Sequence, residues 1–312
     1  MKTVVFAAGG VGGYFGARLA RAGHDVIFMA RGQHLQAMKS GGLKINSIQG
    51  DFQLSSVQCT DNPTETGIVD LVIVAVKSWQ LTEVGNAMRP MIGPDTIVLP
   101  LLNGVEAPDQ LAQILGESHV LGGLCNIMSM IAGPGHIRHL GIEPYIAIGE
   151  LDNTPTQRTR DILRILEQAG IKAAIPDSIR AAMWKKFLFI CTFSGVGAIT
   201  RAPIGVIRSL PETRGLLETS LTEIYQLARA LDIPIHKNLI ERSMGFFDAL
   251  PVQGTASMQR DIMKQRPSEL EAQNGAVVRL ARSARVDVPL NNFIYASLLP
   301  GELSTRGQLP GR

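Results

Sequence analysis

Thr3-Val-Val-Phe-Ala-Ala8, Gly9-Gly-Val-Gly-Gly13, a run from Tyr14 to Ala22, then Gly23 and Val26-Ile-Phe-Met-Ala30 make up the stretch that decides the fold. The first apolar run predicts a strand. The glycine cluster predicts a turn, Tyr14 to Ala22 carries helix formers, Gly23 stops the helix, and Val26 to Ala30 predicts a second strand. A strand–turn–helix–strand unit is the setting a dinucleotide fingerprint requires. Its glycines let the backbone approach a pyrophosphate, and the helix N-terminus presents free N–H groups to it. In the G-x-G-x-x-G register the chain reads Ala7, Gly9, Gly12, so alanine stands where the first glycine belongs. Cofactor contacts are expected from Ala8, Gly9, Gly10, Val11 and Gly12.

The end of the second strand bears on which dinucleotide binds. NAD enzymes place an acid there for the ribose 2′-hydroxyl. Here Ala30 and Arg31 follow, with no acid nearby in sequence. A guanidinium fork suits a 2′-phosphate, which favours NADP(H).

Further out, Val69 to Val76 is a near-continuous apolar strand, as in a parallel sheet covered on both faces, and Thr96 to Leu99 is another. Ser78 to Met88 and Val105 to Leu115 read as helices, Leu43 to Val57 as an antiparallel hairpin, and His119 to Cys125 and Tyr145 to Ile148 as strands. Gly133-Pro-Gly135 is a turn. This alternation predicts an α/β, Rossmann-like doubly wound sheet over residues 1–176. After Pro176 strand patterns thin out. Ile179 to Phe193, Thr213 to Leu231, His236 to Leu250, Met258 to Met263 and Glu269 to Ala284 carry helical patterns, which predicts an all-helical domain over 177–312. The polar tail from Gly301 to Arg312 is expected to fray.

The 312 residues are 45% hydrophobic and 18% charged with a net charge of +3, which suits a soluble protein and argues against a nucleic-acid partner. No apolar run is read as a membrane span, and no signal peptide is read at the N-terminus. Cys59, Cys125 and Cys191 are widely spaced and fit no metal motif, which points to a reducing, cytoplasmic setting. His136 and His139 lack an acid pair at metal spacing and are read as surface histidines, so no metal is expected.

Reduction of a ketone leaves an alkoxide that needs a proton donor. Lys77 ends the strongest strand, where ligands of parallel sheets bind, though a solvated loop lysine would look the same. Lys186, in Met183-Trp-Lys-Lys-Phe187, opens the helical half, and it too could be part of a plain solvated face. Asn103, in Leu101-Leu-Asn-Gly-Val105, follows a strand and could bond nicotinamide or substrate, or shape an Asn-Gly turn.

Taken together, Gly13-Tyr-Phe-Gly16, Ala22-Gly-His-Asp-Val26 with Arg31, Val76-Lys-Ser78, Asn103-Gly-Val105, Trp184-Lys-Lys-Phe187, and Ser257-Met-Gln-Arg-Asp-Ile262 leading to Glu269 and Asn274-Gly275 resemble the ketopantoate reductase family (2-dehydropantoate 2-reductases) over nearly the whole chain. The resemblance implies NADPH-dependent reduction of 2-dehydropantoate to pantoate, in the pathway to pantothenate. It implies Lys186 as the acid that protonates the alkoxide, Glu269 as the partner of the substrate hydroxyl, and Ser257 as the holder of the substrate carboxylate. It gives Asn103 and Lys77 as residues shared by cofactor and substrate, and Arg31 as the 2′-phosphate contact. Where the family presents asparagines four and eight residues after the lysine, this chain has Ile190 and Ser194, and Gly254 replaces another. Ser194 is therefore expected at the substrate, in a pocket more apolar than usual. Two other readings stay open: reduction of a more apolar 2-oxo acid, and an NADPH-binding sensor without catalysis. Helical second domains often carry a dimer interface, which leaves a homodimer open.

Overall fold

The computed structural model describes residues 1–309, which divide into two compact units: Met1–Leu102 with Ala107–Ile179, and Asn103–Glu106 with residues 180–309. In the first unit the chain runs β1 (Lys2–Phe6), α1 (Gly10–Arg21), β2 (Asp25–Met29), α2 (Gly32–Gly41), β3 (Leu43–Ser47), β4 (Phe52–Leu54), β5 (Gln58–Thr60), β6 (Leu71–Val74), α3 (Leu81–Ala87), β7 (Ile97–Pro100), α4 (Ala107–Leu115), β8 (Gly122–Gly133), β9 (His136–Gly149), α5 (Gln157–Gln168) and β10 (Lys172–Ala174).

Five strands form a parallel sheet in the order β5-β2-β1-β6-β7. Successive strand residues point to opposite faces. Val4, Phe6, Ile27, Met29, Val72 and Val74 face α3 and α4 through Leu81, Val84 and Leu111. Val5, Phe28, Ile73 and Leu99 face the other way, into a core with Phe15 and Leu19 of α1. The order reverses between β1 and β6, so the turns after these strands lie where open parallel sheets bind ligands.

A second sheet, not anticipated from the sequence, completes the first unit. It has the order β10-β9-β3-β4, with β8 paired antiparallel to β9. The expected hairpin at 43–57 is present as β3 and β4, but β3 also pairs in parallel with β9. α1 touches strands of both sheets, which accounts for its burial at Gly12, Gly13, Tyr14, Phe15, Gly16, Ala17 and Leu19.

This placement changes the meaning of the glycine cluster. α1 starts at Gly10 rather than Tyr14, so most of the cluster lies inside the helix. A Cβ on Gly12 would run into the Ala7 carbonyl oxygen and lie 2.8 Å from Val5 Cγ1. A Cβ on Gly16 would meet Phe28 at 2.6 Å, one on Gly13 would meet Ile137 at 3.0 Å, and one on Gly10 would meet the Ser129 backbone at 2.6 Å. Those four glycines admit close packing against the two sheets. Gly9 has nothing within 4 Å of the same position.

Ala7 adopts φ 77°, a left-handed conformation that glycine takes freely. An L-residue there costs roughly 1–2 kcal/mol, partly offset by the greater freedom glycine has when unfolded. Ala7→Gly is therefore expected to raise stability by about 0.5–1 kcal/mol, read as a higher denaturation midpoint at an unchanged m-value.

The second unit holds most of α6 (Ile179–Thr200), then α7 (Ile204–Ser209), α8 (Pro211–Ala230), α9 (Leu239–Ala249), α10 (Ser257–Met263), a π-helical turn at Glu271–Gly275, α11 (Ala276–Ala284) and α12 (Pro289–Thr305). α6 is long and apolar enough to cross a membrane by length and composition, although no such run was read in the sequence; 61% of its most apolar window is buried within the fold. The tail departs from the fraying expected of it as far as it is described. Glu302 is buried and accepts from Ser268 N at 3.0 Å, Ser268 Oγ at 2.5 Å and Arg306 Nε at 2.6 Å. These bonds tie α12 to the segment before Glu269. Residues 310–312 lie outside the described residues.

Candidate functional site

In the first unit, the turns at the carboxyl ends of β1 and β2 open onto a groove of about 230 Å³ lined by Ala8, Gly9, Arg31, His34, Asp61 and Gln80, among others. Two helices begin there. The first helical bond of α1 runs from Gly13 N to Gly9 O, so the N–H groups of Gly10, Val11 and Gly12 precede it. Neither Gly9 at the start of α1 nor Arg31 at the start of α2 makes a side-chain cap. Uncapped N–H groups and the positive end of the helix dipole favour phosphate oxygens. Open space at Gly9 allows a ligand close to the backbone. The Arg31 guanidinium is exposed and lies 3.6 Å from Glu83, a contact weak enough to be exchanged for a phosphate.

Lys77 follows β6 at the switch point, exposed, with its Nζ 5.7 Å from the centre of the Trp79 ring. The groove also holds an acid that the sequence reading missed. Asp61 is remote from Arg31 in sequence but reaches the groove from the end of β5, a strand too short to announce itself. A carboxylate there can accept from ribose or adenine donors.

In the second unit, Asn103–Glu106 belongs by its contacts with the helices, although it follows β7. Asn103 Nδ2 donates to Glu269 Oε2 at 2.9 Å, and Glu269 is buried. Gly104, at φ 99°, has no room for a side chain because a Cβ would lie 2.8 Å from Ala272 O. Arg279 bridges Glu106 and Glu271, at 2.8 Å to each. Tyr295 donates to Glu271 Oε1 at 2.7 Å, and burial, then this carboxylate, push its phenol up to about 12. Tyr295 thus stays protonated at neutral pH.

Lys186, Ile190 and Ser194 recur at helical spacing along one face of α6; Lys186 and Ile190 are half-buried and Ser194 is buried. Beside Ile190, Phe189 stacks on Phe247 with ring centres 4.8 Å apart. Ser257 is exposed at the start of α10, a helix secured by Gln259, whose Nε2 donates to Ala202 O at 2.9 Å. Past Glu269 the π-helical turn, a geometry frequent at functional sites, carries Gln273 and Asn274, whose buried Oε1 and Oδ1 have no hydrogen-bond partner among the described residues.

The structure thus brings Ala8, Gly9 and Arg31 to one groove, pairs Asn103 with Glu269, and sets Lys186 and Ser194 on one helical face. The two histidines read as surface residues part company. His136 bonds Asn46 across the β9–β3 pair, whereas His139 is buried, with Nδ1 on Ser47 Oγ at 2.8 Å and Nε2 donating to Ile142 O at 2.8 Å.

Residues 4–153 match the family described as "Ketopantoate reductase PanE/ApbA", and residues 178–301 match its C-terminal family, "Ketopantoate reductase PanE/ApbA C terminal". The chain is 32% identical over 302 residues to "Uncharacterized oxidoreductase YkpB" of Bacillus subtilis (strain 168), covering 96% of this chain and 98% of that one. It is 29% identical to a 2-dehydropantoate 2-reductase of Nostoc sp., covering 95% and 94%. The crystal structure of a PanE/ApbA family ketopantoate reductase from Ralstonia eutropha JMP134 superposes with a TM-score of 0.90 at 30% identity, covering 98% of this chain and 100% of that one.

Proposed function

The chain belongs to the ketopantoate reductase PanE/ApbA family and is an oxidoreductase of that type, and from this premise we propose that it reduces 2-dehydropantoate to pantoate with NADPH. The observation that carries the reading is the buried Glu269 carboxylate held by the Asn103 amide, in a chain that also keeps Lys186 and Ser257. When bound, NADPH would supply a hydride from nicotinamide C4 to the ketone carbon.

The protein's residues do the rest. As the carbonyl π pair moves onto oxygen, the Lys186 ammonium gives that oxygen a proton. Glu269 accepts from the substrate hydroxyl, and Asn103 fixes which carboxylate oxygen is free to do so. The Ser257 hydroxyl donates to the substrate carboxylate, and Ser194 contributes a hydroxyl from the Lys186 face. The N–H groups of Gly10, Val11 and Gly12 hold the pyrophosphate beside Ala8 and Gly9, Arg31 holds the 2′-phosphate, and Lys77 adds positive charge at the switch point. This reading puts the enzyme in pantothenate synthesis, in the cytoplasm, acting on a small molecule with no nucleic acid or membrane partner.

The Arg31 assignment has a direct test. A hydrogen bond to a charged group is worth about 1.5–3 kcal/mol, so Arg31→Ala should weaken NADPH binding about tenfold or more. NADH binding should stay within about twofold, since it lacks the phosphate. Equal loss for both dinucleotides would remove the 2′-phosphate assignment.

Ile190 favours a second reading. An isoleucine cannot make an amide's bonds, so a substrate pocket on this face suits a more apolar 2-oxo acid. Comparison of kcat/KM for 2-dehydropantoate with that for branched and aromatic 2-oxo acids separates the two.

A further inference from the structure

His34 makes two hydrogen bonds that fix its protonation state. Its Nε2 lies 2.9 Å from Ala8 O, and Gly135 N lies 3.1 Å from its Nδ1. A carbonyl oxygen only accepts and a backbone N–H only donates, so Nε2 carries the proton and Nδ1 is bare. The ring therefore ties the turn after β1, next to Gly9 and the strained Ala7, to the turn between β8 and β9. Ala8 and Gly9 of the first turn line the groove, and so does Ile131 of β8, the strand that leads into the second turn. Gly135 is held on its other side as well, since Lys44 N donates to Gly135 O at 2.9 Å.

Resting on the cofactor reading above, we infer that His34 is a positioning residue for the dinucleotide: its neutral imidazole ties the two turns and holds the groove at its cofactor-binding width. Protonation places an N–H of the imidazolium against the N–H of Gly135, so that bond is lost and the turn between β8 and β9 is no longer tied to the turn after β1. His34 is half-buried in the first turn of α2, where burial pulls its pKa below 6.5 and outweighs the upward pull of the Ala8 carbonyl. Because the folded pKa is depressed, the tie is fully present above 6.5 and is lost as pH falls through the lower folded value. The charged and titratable groups around it are Arg31 with its partner Glu83, Asp61 in the same groove, Lys44 on β3, and His136 beside Gly135, bonded to Asn46. A bound 2′-phosphate titrates in the same range, so the contribution of His34 is the difference between wild type and a variant that cannot titrate.

The test has two arms. In the cofactor-free protein, ring-nitrogen NMR should find His34 as the Nε2–H tautomer with a midpoint below 6.5; an Nδ1–H tautomer or a higher midpoint overturns the inference. In the second arm, the NADPH dissociation constant is measured by fluorescence from pH 5 to 8 for wild type, His34→Gln and His34→Ala. Below its midpoint, wild type should lose affinity by up to about tenfold per pH unit relative to His34→Gln. His34→Gln keeps a donor for Ala8 O and should lack this component, and His34→Ala should bind weakly at every pH. A wild-type slope retained in His34→Gln, or affinity that rises on acidification through His34, overturns the inference. If wild type binds no NADPH at any pH, the cofactor reading itself falls, and the NMR arm tells this apart from a wrong tautomer.

Discussion

Lys186→Ala is expected to lower kcat by about 10²–10⁴-fold, the usual contribution of a positioned proton donor, while NADPH affinity stays within about twofold. The lysine sits half-buried on the face of α6 that also carries Ile190 and Ser194. Melting temperature serves as the control for any structural loss. Stopped-flow traces separate the two roles the residue could have. A proton donor loses the hydride-transfer phase, and a cofactor ligand loses affinity. Equal losses in kcat and NADPH binding would reassign Lys186 to the cofactor.

Gly12→Ala should damage both the packing of α1 and the cofactor groove. The new Cβ would collide with the Ala7 carbonyl and press on Val5 Cγ1 and on Ala75 Cβ, which lies 3.1 Å away. Two of these neighbours belong to the β1 strand and its turn, and cannot rotate away. α1 would have to lift off the parallel sheet, although the second sheet covers its other side. Overpacking of this kind costs about 1–3 kcal/mol, and a backbone obstacle puts it at the upper end. The same displacement would shift the N–H groups of Gly10, Val11 and Gly12. Gly12→Ala should therefore melt earlier and bind NADPH at least about tenfold more weakly, whereas a methyl at Gly9, facing open space, should spare the melting temperature.

The parallel sheet was legible because its strands, buried on both faces, read as unbroken apolar runs at Thr3–Ala8, Val26–Ala30 and Val69–Val76. The helical half was legible from its 3.6-residue periodicity. The second sheet was not. β4 and β10 have three residues each, and β8 and β9 each join a buried run, legible as a short strand at His119–Cys125 or Tyr145–Ile148, to a largely exposed stretch that reads as loop. The start of α1 was hidden for a different reason. Glycine is a poor helix former, and the four glycines there are admitted by contact with two sheets, a tertiary fact absent from local sequence.

The candidate site shows the same division. Arg31, Lys186 and Glu269 stand out by residue type and motif. The bond between Asn103 and Glu269 spans 166 residues, that between His34 and Gly135 spans 101, and Asp61 arrives from a separate strand. No local spacing encodes such pairs; they follow from the order of strands in the sheets and the packing of helices in the second unit.

The most direct measurement is the loss of NADPH absorbance when 2-dehydropantoate is added to the purified protein, with the product identified by mass. The account predicts rapid oxidation of one NADPH per pantoate formed. NADPH that binds tightly yet is not consumed with 2-dehydropantoate or any other 2-oxo acid would contradict it and leave a cofactor-binding protein without this catalysis.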